Sequence, residues 1–288
     1  MAAGSKPLPR QARELVDLWR DLFGRHNILN YASAIAFQTL VALFPLLLLG
    51  LALLAATGHQ SVWVNEIAPT VQRQVTPPVY NAIDFTVHVV FTGKTAGVIL
   101  FAVALSVWEV SRSVRACMGG MNAIYETEER RPPWRRFAVS IGLAAAIIVC
   151  LTGAAVLLTF AKGPGGDSAL HWLVLVARWA GAVVLLGLAV GLLFRYAPVE
   201  PRKTRWESAG ATLVVAVWLG TSIGFKYYLT SVANLKTAVG SLTVFVVMTT
   251  YFYVSSIIFM VGVQLDELLR EHERHPGTGL LDLVLRGE

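Results

Sequence analysis

Between residues 26 and 65 there is no Lys, Arg, Asp or Glu, and the same holds for 95–108, 137–161, 179–194, 208–225 and 237–265. An apolar stretch of about 18 or more residues without charge is long enough to cross a bilayer as a helix. Composition agrees: 55% of the residues are hydrophobic and 15% charged, against roughly 25% charged in soluble chains, and mean hydropathy is +0.60. These properties exclude a soluble enzyme, a disulfide scaffold and a disordered chain. They predict an all-α fold, a polytopic bundle of transmembrane helices.

The spans are placed at 31–57, 95–116, 137–161, 169–197, 207–229 and 239–265. Six crossings return the chain to its starting side, and the Lys/Arg bias says which side that is. Lys6, Arg10, Arg13, Arg20 and Arg25 precede the first span. Arg112, Arg115, Arg130, Arg131, Arg135 and Arg136 cluster around the second loop, and Arg195, Arg202, Lys203 and Arg205 around the fourth. Arg270, Arg274 and Arg286 follow the last span, whereas the opposite face carries only Arg73, Lys94, Lys162, Lys226 and Lys236. The expected topology therefore has both termini in the cytoplasm. The basic balance, +6 with a pI near 9.5, is explained by this placement and calls for no nucleic acid.

A single transmembrane domain, 31–268, is expected between a cytoplasmic segment, 1–30, and a tail, 269–288. Residues 9–24 place Leu15, Leu18, Trp19 and Leu22 at helical spacing, the pattern of an amphipathic surface helix; it serves as an anchor or as a partner-binding helix. The one long external segment, 58–94, is divided by Pro69, Pro77 and Pro78 into two short amphipathic stretches at 62–67 and 79–90. No cleavable signal peptide is read at the N-terminus, and no internal repeat supports an inverted-repeat transporter.

Chemistry by known motifs is not visible. There is no P-loop, no paired histidines with a carboxylate, and no Gly-x-Ser-x-Gly elbow. Cys117 and Cys150 have no metal or redox spacing. No enzyme activity, metal or cofactor is expected. Polar groups at membrane depth are costly, so they become the candidates. Arg178 lies inside the fourth span, either snorkelling beside Trp172 and Trp179 or facing a polar cavity. Glu109, Arg112 and Arg115 share one broad helix face, either as a neutralised pair or as an anion or headgroup site. Lys226, Tyr227 and Tyr228 fit an interfacial belt. Pro45 removes a backbone donor within the first span and predicts a kink near Val41, which either opens a gate or fits a neighbour. Gly240, Ser241 and Gly262 permit close helix approach.

Four segments resemble the YihY/BrkB family of membrane proteins. NYASAIAFQTLVALFPLLLLG (30–50), beginning at Asn30, resembles its first-span signature. SRSVRACMGGMNAIYETEERRPPWRR (111–136) resembles its cytoplasmic loop, with Arg112, Asn122 and Tyr125. LFRYAPVEPRKTRWESAGATLVVAVW (192–218) resembles its Tyr-x-x-Pro loop and next span, with Tyr196, Pro198 and Gly210. AVGSLTVFVVMTTYFYVSSIIFMVGVQLDE (238–267) resembles its last span. Val239 stands where the family often has Tyr, and Gln264 where it often has Glu. The resemblance implies a six-span bacterial inner-membrane protein. It brings an old ribonuclease label regarded as a misassignment, a name linked to serum resistance, and a genetic link to export of lipopolysaccharide precursors.

The expected function is transport or export of an envelope lipid or other amphipathic anion. Arg178, Arg112 and Arg115 would bind phosphate, and the Pro45 kink would gate. The alternative is an envelope-biogenesis scaffold that docks through the N-terminal helix and the external segment. Expected partners are membrane lipids, an anionic envelope lipid among them, and either a second copy of the chain or envelope machinery.

Overall fold

The structure is a computed structural model that describes residues 21, 23–74, 77–92, 95–160, 169–199, 207–231 and 238–274. All regular structure among them is helical. α1 spans Ile28–Ala56, and a short external stretch follows: a helical turn at Gln60–Val62, a π-helical turn at Trp63–Ile67, then α2 (Ala68–Gln74) and α3 (Pro77–Thr92). The remaining helices are α4 (Thr95–Ile124), α5 (Pro133–Phe160), α6 (Ala169–Tyr196), α7 (Glu207–Ser231) and α8 (Ala238–Arg274). Six helices among the described residues (α1 and α4–α8) are long and apolar enough to cross a membrane. Most of the segment 9–24, the loops at 161–168, 200–206 and 232–237, and the tail beyond 274 lie outside the described residues.

The helices form a closed ring in chain order. α1 lies along α4, which packs on α5, then α6, α7 and α8, and α8 closes back onto α1. Successive spans are antiparallel, so α1 begins where α8 ends; that side is called the near face. On the far face, Trp63, Ala68 and Val87 form a small separate core under Leu51, Tyr80, Ile83 and Phe91. The Trp63 indole donates to Asp84 Oδ1 at 3.3 Å. The two amphipathic stretches expected in this segment are therefore helical and packed on each other.

Two helices outrun their expected ends. α4 continues to Ile124 instead of stopping near 116, through Gly119 and Gly120. A Cβ on Gly120 would lie 2.8 Å from Met260 Cε and 3.3 Å from Tyr31 Cβ. Tertiary packing here uses the missing side chains that would otherwise weaken the helix. α8 continues past 265 to Arg274 because no Gly or Pro interrupts it and Arg270 pairs with Glu267 one turn away. α4 ends where Glu126 adopts φ 49°, and α1 starts at Asn27, also at φ 49°, a left-handed value that Asn tolerates better than most residues. α1 runs unbroken through the buried Pro45, whose ring removes the donor that Val41 O would otherwise accept from.

Candidate functional site

The ring encloses a cavity of about 380 Å³ to which every span contributes, within the usual 300–1,000 Å³ range of ligand pockets. Ile35, Ala42 and Leu46 of α1 face Val110 and Val114 of α4, and α5 and α6 add Ile147, Leu186 and Leu193. No charged side chain among the described residues lines it. Most of its hydroxyls are already engaged with the protein. Thr39 Oγ1 and Ser113 Oγ are 2.8 Å apart, joining α1 to α4. Ser222 donates to Trp218 O at 2.7 Å, so the Tyr251 hydroxyl, 2.8 Å away, is the donor to Ser222. The Trp218 indole donates to Ser255 O at 2.9 Å, a second tie between α7 and α8. Thr39 stands eleven residues into α1, and Tyr251 thirteen residues from Gln264 on α8, so both hydroxyl pairs lie roughly 16–20 Å from the near face. An ion placed there would lose its hydration without a partner and cost several kcal/mol. The cavity suits an uncharged, largely hydrocarbon ligand.

On the near face a polar clasp ties the loop after α4 to the end of α6. Arg131 Nε donates to Glu129 Oε1 at 2.8 Å and Arg131 Nη2 to Ala197 O at 2.9 Å. Asn122 donates through Nδ2 to Glu129 Oε2 and accepts at Oδ1 from Val199 N. A second tie joins the lead-in of α1 to α8, where His26 Nδ1 lies 2.8 Å from Gln264 Oε1, both residues buried. His26 Nε2 is 3.6 Å from Glu126 Oε1. The hydrogen bonds from Arg131 hold the Glu129 carboxyl below its ordinary value, against a smaller opposing effect of burial. A carboxylate with a depressed folded value stabilises the protein fully above the unfolded value, near 4.3, and loses that contribution as pH falls through the folded one. Glu129→Gln is therefore expected to lower the thermal midpoint at pH 7 and to match wild type progressively below pH 4. Unfolding scans of both proteins across that range check it.

The expected site residues divide between these features. Asn122 belongs to the clasp, Gln264 to the His26 tie, and the buried Tyr125 and Pro198 pack beside them. Gly210 and Gly262 meet at the α7–α8 crossing. Asn30 and Tyr196 are exposed, and Gly240 and Ser241 lie in the first turn of α8. None of the arginines expected to bind phosphate is among the described residues that line the cavity. Arg112 Nη1 is 3.2 Å from both Glu109 oxygens, the neutralised pair. Arg115 donates to Ser111 Oγ at 2.9 Å and Ser140 Oγ at 3.0 Å and lies over the Phe137 ring, bracing α4 against α5. Arg178 is half-buried towards the far end of α6. Pro45 does not line the cavity, although Ala42 and Leu46 beside it do. Sequence reasoning missed Thr39, Ser113, Ser222 and Tyr251, for which hydroxyls inside uncharged runs were the available signal. It also missed Glu129 and Arg131, which read as ordinary loop charges. Among the described residues, no group of three His, Cys, Asp or Glu side chains could hold a metal ion.

Comparison with known proteins places the chain among membrane proteins of one family. Residues 20–279 match the family model described as "Virulence factor BrkB". The chain is 23% identical to the "Putative ribonuclease-like protein YfkH" of Bacillus subtilis, over 89% of this chain and 96% of that protein. It is also 23% identical to a "UPF0761 membrane protein" of Alkalilimnicola ehrlichii, over 89% of this chain and 59% of the relative. The same figure holds for "UPF0761 membrane protein Nmul_A0452" of Nitrosospira multiformis, over 83% and 57%. The chain thus spans somewhat under three-fifths of the length of these two longer relatives. No solved structure matches.

Proposed function

The chain belongs to the virulence factor BrkB family, and we propose that it moves an envelope lipid or similar amphipath across the membrane, holding the apolar part in the six-helix cavity. One observation carries this reading: all six spans line a single cavity of mostly carbon surface and hydrogen-bonded hydroxyls, with no charged side chain among the described residues that line it. The charged part of such a ligand has to stay at a membrane face, because the cavity offers it no counter-ion. The hydroxyl pairs Thr39–Ser113 and Ser222–Tyr251 each join two neighbouring spans, so they are contacts that can be exchanged for a ligand's own oxygens when the ring widens. The concentration of basic residues near α1, the loop after α4 and the end of α6 supports placing the near face in the cytoplasm of a bacterial inner membrane.

Filling the cavity tests the reading. Ala42 is 2% exposed and lines it. Native mass spectrometry of the detergent-purified protein is expected to show one co-purified lipid on wild type, reduced with Ala42→Leu and absent with Ala42→Phe. Arg112→Ala and Arg178→Ala are expected to retain it, since neither side chain lines the cavity. Lipid retained by Ala42→Phe and lost in either arginine variant would instead return the site to the arginines.

The alternative, an envelope scaffold, draws on the far-face helices, where Val64, Phe85 and Val89 are 60%, 72% and 52% exposed. A protein in which Phe85→Ser abolishes cellular function, while Ala42→Phe leaves function intact, would favour docking over transport.

A further inference from the structure

α6 and α7 make the sparsest contact of any adjacent pair in the ring, and a groove of about 650 Å³ runs between them. Gly187, Gly191, Ala211 and Ala216 are among the residues that line it, and Arg195 stands at its near-face end. A Cβ added to Gly187 or Gly191 would meet nothing within 4 Å, so the protein's own side chains leave this trough open. From Val183 to Arg195 the lining runs along thirteen residues of α6, a rise of about 18 Å, comparable to the roughly 15 Å hydrocarbon depth of one leaflet. Arg195 is exposed in the last turn of α6, with its guanidinium 5.4 Å from the Tyr196 ring centroid. Among the side chains that the structure describes, no carboxylate pairs with it.

We infer that this groove binds one anionic phospholipid, with the phosphate at Arg195 and an acyl chain along the α6 glycines. An apolar trough of one-leaflet length ending in a cation is complementary to an amphipath whose charged end is negative. Guanidinium is the side chain best matched to phosphate, through paired N–H donors. The tyrosine beneath it restricts the arginine at the depth where headgroups lie. The groove is on the outside of the ring and shares with the cavity only Leu219. The inference therefore stands on the groove's own walls and charge, whatever the cavity holds.

The test uses the full chain in detergent micelles, titrated with phosphatidylglycerol or with phosphatidylcholine of the same acyl chains, and read by native mass spectrometry. Wild type is expected to bind one phosphatidylglycerol about tenfold more tightly than phosphatidylcholine, whose choline cation offsets the attraction between Arg195 and the phosphate that both lipids carry. Arg195→Gln is expected to abolish that preference. Gly191→Leu, and Gly187→Leu as a second variant, are expected to lose the site for both lipids with no fall in thermal midpoint, because leucine meets open space there and is the better helix former. Ala42→Phe is expected to leave this site unchanged, which separates its failure from that of the cavity reading. Equal binding of the two lipids by wild type, or a preference that survives Arg195→Gln, overturns the inference. So does a wild-type dimer that becomes monomeric with Gly191→Leu at unchanged lipid content, since the occupant of the groove would then be a second copy of the chain.

Discussion

Arg131→Ala is expected to destabilise the protein by about 3 kcal/mol, the cost of removing one partner from a mostly buried ion pair. Arg131 and Glu129 side chains are 9% and 20% exposed, and the arginine holds two separate acceptors. Without it, Glu129 keeps Asn122 Nδ2 at 3.2 Å and Arg136 Nε at 3.7 Å, while Ala197 O loses the Arg131 donor. The loop after α4 would then be held to the end of α6 mainly by the bond from Val199 N to Asn122. Combining Arg131→Ala with Glu129→Gln removes the abandoned charge as well, so the double variant is expected to be more stable than Arg131→Ala alone. Thermal unfolding of the two single variants, the double variant and wild type measures this coupling. Equal midpoints for Arg131→Ala and wild type would show that the clasp contributes nothing to holding the loop after α4 against the end of α6.

Gly210→Ala is expected to cost about 3 kcal/mol, the upper end of the usual penalty for overpacking. A Cβ at Gly210 would stand 2.6 Å from Gly262 O and 3.0 Å from Phe194 Cε1. The first obstacle is backbone and cannot rotate away; the second is a ring that is 1% exposed and stacked edge-on against Phe259 at 5.6 Å. α7 and α8 would have to separate, taking with them the bonds from Trp218 to Ser255 and between Ser222 and Tyr251 that line the cavity. Loss of thermal stability and loss of the co-purified lipid should therefore appear together. By contrast Gly220→Ala, where an added Cβ meets nothing within 4 Å, is expected to be neutral or slightly stabilising. A comparison of the two alanine variants separates helix propensity from close approach, since propensity alone favours alanine at both sites.

The candidate site was only partly legible beforehand. Asn122, Gln264 and Gly210 were singled out through a family pattern that gave them no role; their roles are the clasp, the His26 tie and the α7–α8 crossing, where Gly262, read beforehand as permitting close helix approach, meets Gly210. The arginines were legible as anomalies because charge at membrane depth is costly, yet cost does not say how it is met. Glu109 meets it for Arg112 on the same helix. For Arg115 it is met by Ser111 and by Ser140, twenty-five residues away on α5, a partner that no local spacing reveals. Thr39 and Tyr251 were missed because a hydroxyl can bond its own helix, as Ser256 does to Phe252 O, and so gives no sign in the sequence of whether it faces lipid, a neighbour or a cavity.

The sequence by itself determined that the chain is a six-span helical membrane protein, because uncharged runs of bilayer length leave no alternative. It determined where the spans lie to within a few residues, except where α4 and α8 run on past their last expected residue. Only the tertiary structure decided that the spans close into a ring in chain order, with a cavity inside and a groove between α6 and α7. In a membrane the surfaces facing lipid and those facing other helices are both apolar, so hydrophobic pattern does not give the rotation of a helix about its axis. That rotation is fixed by a few close contacts, Gly210 on Gly262 and Gly120 on Met260 among them, and those contacts decide which side chains face the cavity.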